Sequence, residues 1–217
     1  MENIKIFTFN PFSENTYIVS NDNGECVIID PGCSDRQEEK ILNDYISANG
    51  LKPVRLLNTH CHIDHILGNL YCTNKYGLEL YAHKEELPNI INADIYADTF
   101  GVAKPGSPQP VHYLKEGDTI AFGNVILEVL FTPGHSPGHV VFYCRNGNYA
   151  IGGDVLFRES IGRTDLPGGN YATLIRSIHE KMFSLPNDTI VYPGHGPETT
   201  IGHEKIFNPY LNLIDAN

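Results

Sequence analysis

The stretch THCHIDH, residues 59–65, holds four side chains of the metal-ligand type within six consecutive positions. It directly follows an apolar run that predicts a buried strand. Imidazole nitrogens and carboxylate oxygens are ligands that zinc, iron and manganese share. His60 and His62 are two residues apart and point the same way in an extended segment, while Asp64 and His65 follow in the next turn. The stretch therefore predicts a metal site at a strand end, dense enough in ligands for two ions.

Three later turns each place one ligand-type side chain after a predicted strand. The turns are Thr132-Pro-Gly-His135, Gly152-Gly-Asp154 and Tyr192-Pro-Gly-His195. Strand ends that converge at one rim allow a rigid scaffold to collect ligands from distant parts of the chain. We therefore expect these three side chains to join the first cluster.

The hydrophobic pattern predicts two similar halves, each with strands followed by a helix. In the first half the predicted strands are Ile4–Phe9, Thr16–Ser20, Cys26–Ile29 and Val54–Leu57, and the predicted helices run from Ser34 or Asp35 to Ala48, over 65–76 and over 84–98. A Pro-rich polar loop is predicted over 101–113. In the second half the predicted strands are Thr119–Phe122, Val125–Phe131, Val140–Tyr143, Tyr149–Ile151 and Ile190–Tyr192, with a helix over Tyr171–Phe183. This order predicts an α+β fold, a four-layer αββα sandwich, in a single domain over residues 1–217.

The composition excludes several classes of partner. The 217 residues include 15 Lys and Arg against 26 Asp and Glu, which gives a net charge of -11. Nucleic acids and anionic membranes attract a surplus of Lys and Arg, so we expect neither as a partner. The first residues do not resemble a signal peptide, and no apolar run approaches the length of a membrane span. Five cysteines without a C-x-x-C pair are typical of a reducing compartment. We expect a soluble, cytoplasmic protein, and the pattern leaves its oligomeric state open.

Taken in order, T-H-C-H-I-D-H, T-P-G-H, G-G-D and P-G-H-G resemble the metallo-β-lactamase fold superfamily. The resemblance runs from the Asp30-Pro-Gly turn to His195 and implies the αββα sandwich, with a metal site at one edge. It implies two divalent cations, with zinc favoured and iron or manganese as alternatives. The implied ligands are His60, His62 and His135 for the first ion, Asp64, His65 and His195 for the second, and Asp154 as the bridge between them.

Two further segments resemble short bacterial enzymes of the glyoxalase II type, the hydroxyacylglutathione hydrolases and their relatives. They are Ser160-Ile-Gly-Arg-Thr-Asp165 and Gly194-His-Gly-Pro-Glu-Thr-Thr200. The resemblance implies a hydrolase that cleaves a small acyl-thiol by means of a hydroxide bridging the two metals. Asp64 is the expected catalytic residue, orienting the hydroxide and handling its proton. Longer members carry a basic C-terminal region that grips glutathione, whereas this chain ends 22 residues after His195, so we expect the glutathione half to saturate poorly.

Other functions on the same fold stay open. A persulfide dioxygenase would use a single iron held by His60, His135 and Asp154, although the complete second ligand set argues against it. Lactonase and β-lactamase activities are further alternatives; an amide leaving group demands an acid that the motifs do not supply. A protein that binds metal without catalysis would leave a complete ligand set unused. The acidic composition argues against a nuclease.

Residues beside the motifs have simpler expected roles. Arg163 can hold a substrate carboxylate, but its spacing to Asp165 favours an ion pair within the loop. His139 is expected to make a backbone hydrogen bond at a strand start, with orientation of a metal ligand as the alternative. Cys61 points away from its neighbours and favours packing. The remaining histidines that we treat as surface or structural residues are His83, His112, His179 and His203.

Overall fold

A computed structural model describes residues 3–211 of the chain. Their contacts divide into two compact units. The first comprises the residues up to Leu114 together with Ala121–Val125, and the second comprises Lys115–Ile120 and the residues from Ile126 onward. The assignment of residues 1–217 to a single domain stays a prediction.

The first sheet has six strands in the order β1-β2-β3-β4-β5-β6. The strands are β1 (Asn3–Phe9), β2 (Glu14–Ser20), β3 (Glu25–Ile29), β4 (Lys52–Leu57), β5 (Leu80–His83) and β6 (His112–Leu114). Pairing is antiparallel from β1 to β3 and parallel from β3 to β6. Parallel neighbours need crossover connections, which are helical here. The helices are α1 (Arg36–Ala48), α2 (Ile63–Ile66), α3 (Asn69–Tyr76), α4 (Leu87–Ile91) and α5 (Ala93–Phe100), with a 3₁₀ turn at Lys84–Glu86.

The second sheet has the order β14-β13-β10-β9-β8-β7. Its strands are β7 (Thr119–Phe122), β8 (Val125–Phe131), β9 (Val140–Cys144), β10 (Tyr149–Gly153), β13 (Ile190–Pro193) and β14 (Thr199–Thr200). A separate hairpin joins β11 (Leu156–Phe157) to β12 (Ser160–Ile161). The helices are α6 (Tyr171–Ser177), continued by a π-helical turn at Ile178–Met182, and α7 (Ile201–Phe207). Strand β10 pairs in parallel with β13, and α6 lies in the crossover between them.

Helix α1 shows how local sequence sets these elements. The Asp35 carboxylate accepts hydrogen bonds from the backbone N–H groups of Gln37 and Glu38, at 2.8 and 2.9 Å, and so caps the N-terminus. A cap of this kind contributes about 1 kcal/mol. Leu42 and Ile46 are buried on one face, four residues apart, which fixes the side of the helix that packs on the sheet.

Each unit has its own apolar core. In the first, Ile28, Leu56 and Leu80 from three neighbouring strands pack with the buried face of α1. In the second, Val141 and Val191 pack with Leu174 and Ile178 from the helical segment that begins with α6. Among residues 3–211, no helix is long and apolar enough to cross a membrane.

Candidate metal centre

Strands β3 and β4 deliver the first group of functional side chains to one sheet edge. The two strands are parallel neighbours, so their carboxyl ends lie side by side. Asp30 follows β3, and the segment 58–65 follows β4. The Asp30 carboxylate accepts hydrogen bonds from the Thr59 backbone N–H at 2.7 Å and from the Thr59 hydroxyl at 2.6 Å. The two strand ends are thereby tied together at the start of the ligand segment.

This edge brings together the four ligand-type residues predicted in the segment. The ring centroid of His60 lies 4.7 Å from that of His62 and 4.1 Å from that of His65. The Oδ2 atom of Asp64 lies 3.7 Å from Nε2 of His65. One ligand-type atom from each of Asp30, His60 and His65 lies within 4.8 Å of the other two. His60 and His65 are fully buried, whereas Asp64 is partly open to solvent.

Hydrogen bonds at Nδ1 fix which nitrogen each imidazole presents. Nδ1 of His65 lies 3.1 Å from Asp30 Oδ2, and a carboxylate oxygen accepts the hydrogen on Nδ1. Nδ1 of His60 lies 3.1 Å from Thr59 Oγ1, whose own proton is donated to Asp30. Both rings therefore carry the proton on Nδ1 and leave the Nε2 lone pair for a ligand, as metal-binding histidines do.

A second buried carboxyl lies behind His65. Glu14 is fully buried, and its Oε1 atom lies 3.8 Å from Nδ1 of His65. The Thr16 hydroxyl donates to Oε2 at 2.9 Å. Burial raises the pKa of the Glu14 carboxyl well above its usual value. Glu14 and Asp30 together provide two acidic groups around one imidazole.

Two more contacts hold the backbone of the ligand segment. The buried Glu86 carboxylate accepts from the Cys61 N–H at 2.8 Å, between two ligand-type histidines. The Asn10 side-chain amide donates to the Asp64 carbonyl at 3.0 Å. The Cys61 side chain is itself buried in the apolar core, which confirms its packing role. These contacts restrict the segment along its whole length.

In the second unit, three strands that run in the same direction supply the remaining ligand-type residues. Strand β8 is antiparallel to β9, β9 is antiparallel to β10, and β10 is parallel to β13. The carboxyl ends of β8, β10 and β13 therefore share one edge. His135, Asp154 and His195 follow these ends, as the turn motifs predicted. Asp154 Oδ2 lies 3.5 Å from His135 Nε2 and 3.6 Å from His195 Nε2.

Neighbouring groups orient two of these residues. Nδ1 of His135 donates to the Arg163 carbonyl at 2.8 Å, so its Nε2 lone pair faces Asp154. Nε2 of His139 accepts from the Asp154 backbone N–H at 3.0 Å, while its Nδ1 lies 3.1 Å from the Thr132 hydroxyl. His139 thus makes the expected backbone hydrogen bond, and that bond also positions Asp154.

The Arg163 side chain forms the predicted ion pair. Its Nε and one terminal nitrogen each lie 2.7 Å from a carboxylate oxygen of Asp165. This hydrogen bonding lowers the pKa of Asp165 to about 2. The guanidinium is committed to its own loop, while the backbone carbonyl of the same residue holds His135.

The other histidines lie outside both ligand groups. His83 accepts from the Glu85 N–H at the start of the 3₁₀ turn, and burial lowers its pKa. His112 pairs with Glu79 at 2.7 Å, and His203 pairs with Glu159 at 3.0 Å. His179 packs against the Phe183 ring.

The sequence did not identify several residues that hold the ligand segment in place. For Asp30 a signal existed, because it ends a strand next to the one that carries the ligand segment. Glu14, Glu86 and Asn10 lie far along the chain from the residues that they support, and only the folded chain identifies them.

The donor set and its spacing fit divalent cations. Two atoms bound about 2.0–2.1 Å from one tetrahedral zinc lie roughly 3.4 Å apart. The distances from Asp154 to His135 and His195, and from Asp64 to His65, are 3.5, 3.6 and 3.7 Å, respectively. The oriented imidazoles and the carboxylates also match the ligand chemistry of zinc, iron and manganese. The identity of the seven ligands stays a prediction.

The chain is similar to solved structures over nearly its whole length. A B3 metallo-β-lactamase, BLEG-1, superimposes with a TM-score of 0.88 at 36% identity, covering 97% of this chain and all of the other. The protein TTHA1623, solved in a di-iron-bound form, gives a TM-score of 0.85 at 42% identity, covering 95% of this chain and all of the other.

Relatives in sequence include two hydrolases. A probable metallo-hydrolase of Bacillus subtilis is 41% identical over 203 residues, covering 93% of this chain and 94% of the relative. The hydroxyacylglutathione hydrolase GloC of Haemophilus influenzae is 36% identical over 212 residues, covering 97% and 98%. The family model of the metallo-β-lactamase superfamily matches residues 9–195. These matches confirm the predicted α+β fold class, and the chain belongs to the metallo-β-lactamase superfamily as a metal-binding hydrolase.

Proposed function

We propose that this chain is a dinuclear metal-dependent thioester hydrolase acting on a hydroxyacylglutathione-type substrate. The observation that carries the proposal is the position of Asp154, whose Oδ2 lies within 3.6 Å of an imidazole Nε2 from each of two other strand ends. A carboxylate oxygen placed between two nitrogen ligands suits a bridge. We propose His60, His62 and His135 as ligands of one ion and Asp64, His65 and His195 as ligands of the other.

The thioester assignment is supported by likeness and by leaving-group chemistry. GloC of Haemophilus influenzae, a hydroxyacylglutathione hydrolase by name, aligns with 97% of this chain. A thiol with a pKa of about 8.5 leaves as a thiolate with little help from an acid. An amine from an amide requires a proton donor, which makes β-lactam hydrolysis the weaker proposal.

Divalent cations, when bound, supply an activated water and polarise the substrate carbonyl. Zinc is our proposed metal, with iron and manganese as alternatives. The chain's own contribution is orientation. Asp64 is partly exposed, its main chain is held by Asn10, and we propose that its carboxylate orients the attacking water and takes up its proton. Asp154 is held at its backbone by His139, which keeps the carboxylate directed between the two histidines.

We further propose that the protein works in the cytoplasm on a small acyl-thiol, without a nucleic-acid or membrane partner. All five cysteines are free and buried, which suits a reducing compartment. The net charge of -11 disfavours polyanionic partners.

A substrate panel tests the reaction class. Metal-replete protein is assayed with S-lactoylglutathione, the lactoyl ester of N-acetylcysteamine, a chromogenic β-lactam and, with an oxygen electrode, glutathione persulfide. We expect both thioesters to be hydrolysed and to give the highest kcat/KM. Oxygen uptake with the persulfide, or a higher kcat/KM with the lactam than with either thioester, would contradict the proposal.

Variants test the ligand assignment in the same assays. His135→Ala and Asp154→Ala should each lose bound metal and at least about 99% of kcat, since metal ligands act as a unit. His112→Ala is the matched control, because His112 pairs with Glu79 on the surface. Equal damage from the control substitution would show that the assignment is wrong.

A further inference from the structure

An open cavity of about 450 Å³ lies beside His195 in the second unit. It is lined by Phe157, Arg158, Glu159, Ser160, His195, Gly196 and Pro197. The Phe157 ring lies 6.4 Å from the His195 imidazole and gives the cavity an aromatic wall. A group bound here would therefore lie next to His195, a proposed metal ligand.

Arg158 is the cation of this cavity, and it is uncommitted within the described part of the chain. Its guanidinium is exposed and makes no ion pair with any of residues 3–211. Arg163 and Arg145, by contrast, are bound through two hydrogen bonds each to Asp165 and Glu128. In a chain of net charge -11, an arginine that pairs with no carboxylate of the described residues is available to a ligand in this cavity.

Hydrogen bonds with helix α7 and with the residue that follows it hold the turn that carries Arg158. Arg158 lies at the tip of the β11–β12 hairpin, next to Glu159, which adopts a left-handed conformation with φ 56. The Glu159 N–H donates to the buried Glu204 carboxylate at 2.9 Å. The Asn208 amide donates to the Ser160 carbonyl at 3.0 Å.

The acidic neighbour of Arg158 is occupied elsewhere. The Glu159 carboxylate lies 3.0 Å from Nε2 of His203, on helix α7. The backbone that carries Arg158 is therefore held in place, and the adjacent carboxylate is already paired.

We propose that Arg158 binds a carboxylate on the thiol half of the substrate, and so selects acyl esters of carboxylate-bearing thiols. That the bound molecule is a substrate rests on the proposed function, whereas the binding of a carboxylate at Arg158 does not. A guanidinium forms two parallel charge-assisted hydrogen bonds with a carboxylate, which gives direction as well as affinity. At an exposed position the gain is modest, and we expect about five- to tenfold in affinity.

Binding of S-methylglutathione, which is not hydrolysed, tests the proposal directly. Isothermal titration calorimetry on metal-replete protein should show the Kd rise about five- to tenfold in Arg158→Met and recover in part in Arg158→Lys. Arg176→Met is the matched control, because Arg176 is an exposed arginine on α6 that also lacks an ion pair among the described residues. The control should bind as the unchanged protein does. No measurable binding to the unchanged protein, or equal Kd values for it and Arg158→Met, would overturn the proposal.

Kinetics provide the second readout. Arg158→Met should raise KM for S-lactoylglutathione about five- to tenfold with kcat within about twofold, and leave the N-acetylcysteamine ester unaffected. A parallel loss on both esters would show a structural role and contradict the proposal. If neither ester is hydrolysed while the calorimetric difference persists, the proposed function fails and the carboxylate site stands.

Discussion

Asp30 shows how much a single side chain can determine at a metal site. It accepts hydrogen bonds from Thr59 and lies against Nδ1 of His65, so it fixes both a strand end and an imidazole tautomer. Its backbone is left-handed, with φ 49, a conformation that asparagine tolerates better than most residues. Asp30→Asn therefore keeps shape and backbone while removing the charge. We expect about 10- to 100-fold weaker metal binding, measured by competition with a chromogenic chelator.

The control for that substitution is Asp44→Asn, since Asp44 is exposed and, within residues 3–211, its ion pair is with Lys40 one turn earlier on the same helix. It should leave metal affinity unchanged. Unaltered affinity in Asp30→Asn would mean that the carboxylate does not act through His65.

Asp165 gives a pH prediction at the same scale. Its pKa in the folded chain is about 2, depressed chiefly by hydrogen bonding from Arg163, against about 3.9 in an unfolded chain. Because the folded pKa is the lower one, the ion pair stabilises the loop above about pH 4, and this contribution disappears as the pH falls through about 2. Carbon-13 NMR of the carboxyl should give that midpoint, and Arg163→Met should return it towards 3.9. An unchanged midpoint in the variant would contradict the assigned cause.

At the scale of elements, the turn after β8 depends on close packing against α6. Gly134 has φ 133, and a Cβ built there would lie 2.2 Å from the Leu174 backbone nitrogen. Gly134→Ala must displace the turn that carries His135. Gly117 has φ 81 with open space around it, so Gly117→Ala has only the conformational cost. We expect the first variant to lose at least about 2 kcal/mol more than the second in urea unfolding. Equal losses would show that the turn can relax.

Most of the longer strands were predictable because their signal is local, whereas the short strands β6, β11, β12 and β14 were not predicted. Apolar and β-branched runs gave Thr119–Phe122 and Val125–Phe131 with their observed bounds. The helix predicted over 65–76 is instead two helices, α2 and α3, which meet near Gly68, where the chain donates a hydrogen bond to the Pro31 carbonyl. The segment Leu80–His83 was not predicted as a strand, since four residues carry too little periodicity and only pairing with β4 and β6 makes it one.

In the candidate site, too, some features are encoded locally in the sequence and others only by the folded chain. Ligand-type residues stand at strand ends, where Gly, Pro and an apolar run mark their position in the sequence. The residues that support them make single contacts over long stretches of chain, as Glu86 does with the Cys61 N–H across 25 residues, and no local pattern encodes such contacts.

At the scale of the whole molecule, bound metal should dominate stability. An ion present at about 1,000 times its Kd stabilises the folded state by about 4 kcal/mol. For a chain of this size, about 1 kcal/mol shifts Tm by roughly 2–4 °C. Removing one ion with a chelator should therefore lower Tm by about 8–16 °C, and removing both ions should lower it further. Calorimetry and plasma mass spectrometry should together give two ions per chain. A stable ratio of one iron per chain would contradict the dinuclear proposal.

The burial of all five cysteines has a chemical consequence for the proposed activity on acyl-thiols. An accessible thiolate attacks thioesters and takes the acyl group onto itself, which would modify the protein with its own substrate. Cys61 stands between two proposed metal ligands, yet burial raises its pKa well above the usual value and keeps it a thiol. Burial raises the pKa of Cys26 to about 12. With the proposed substrates, the packing of the core would therefore protect all five thiols from acylation.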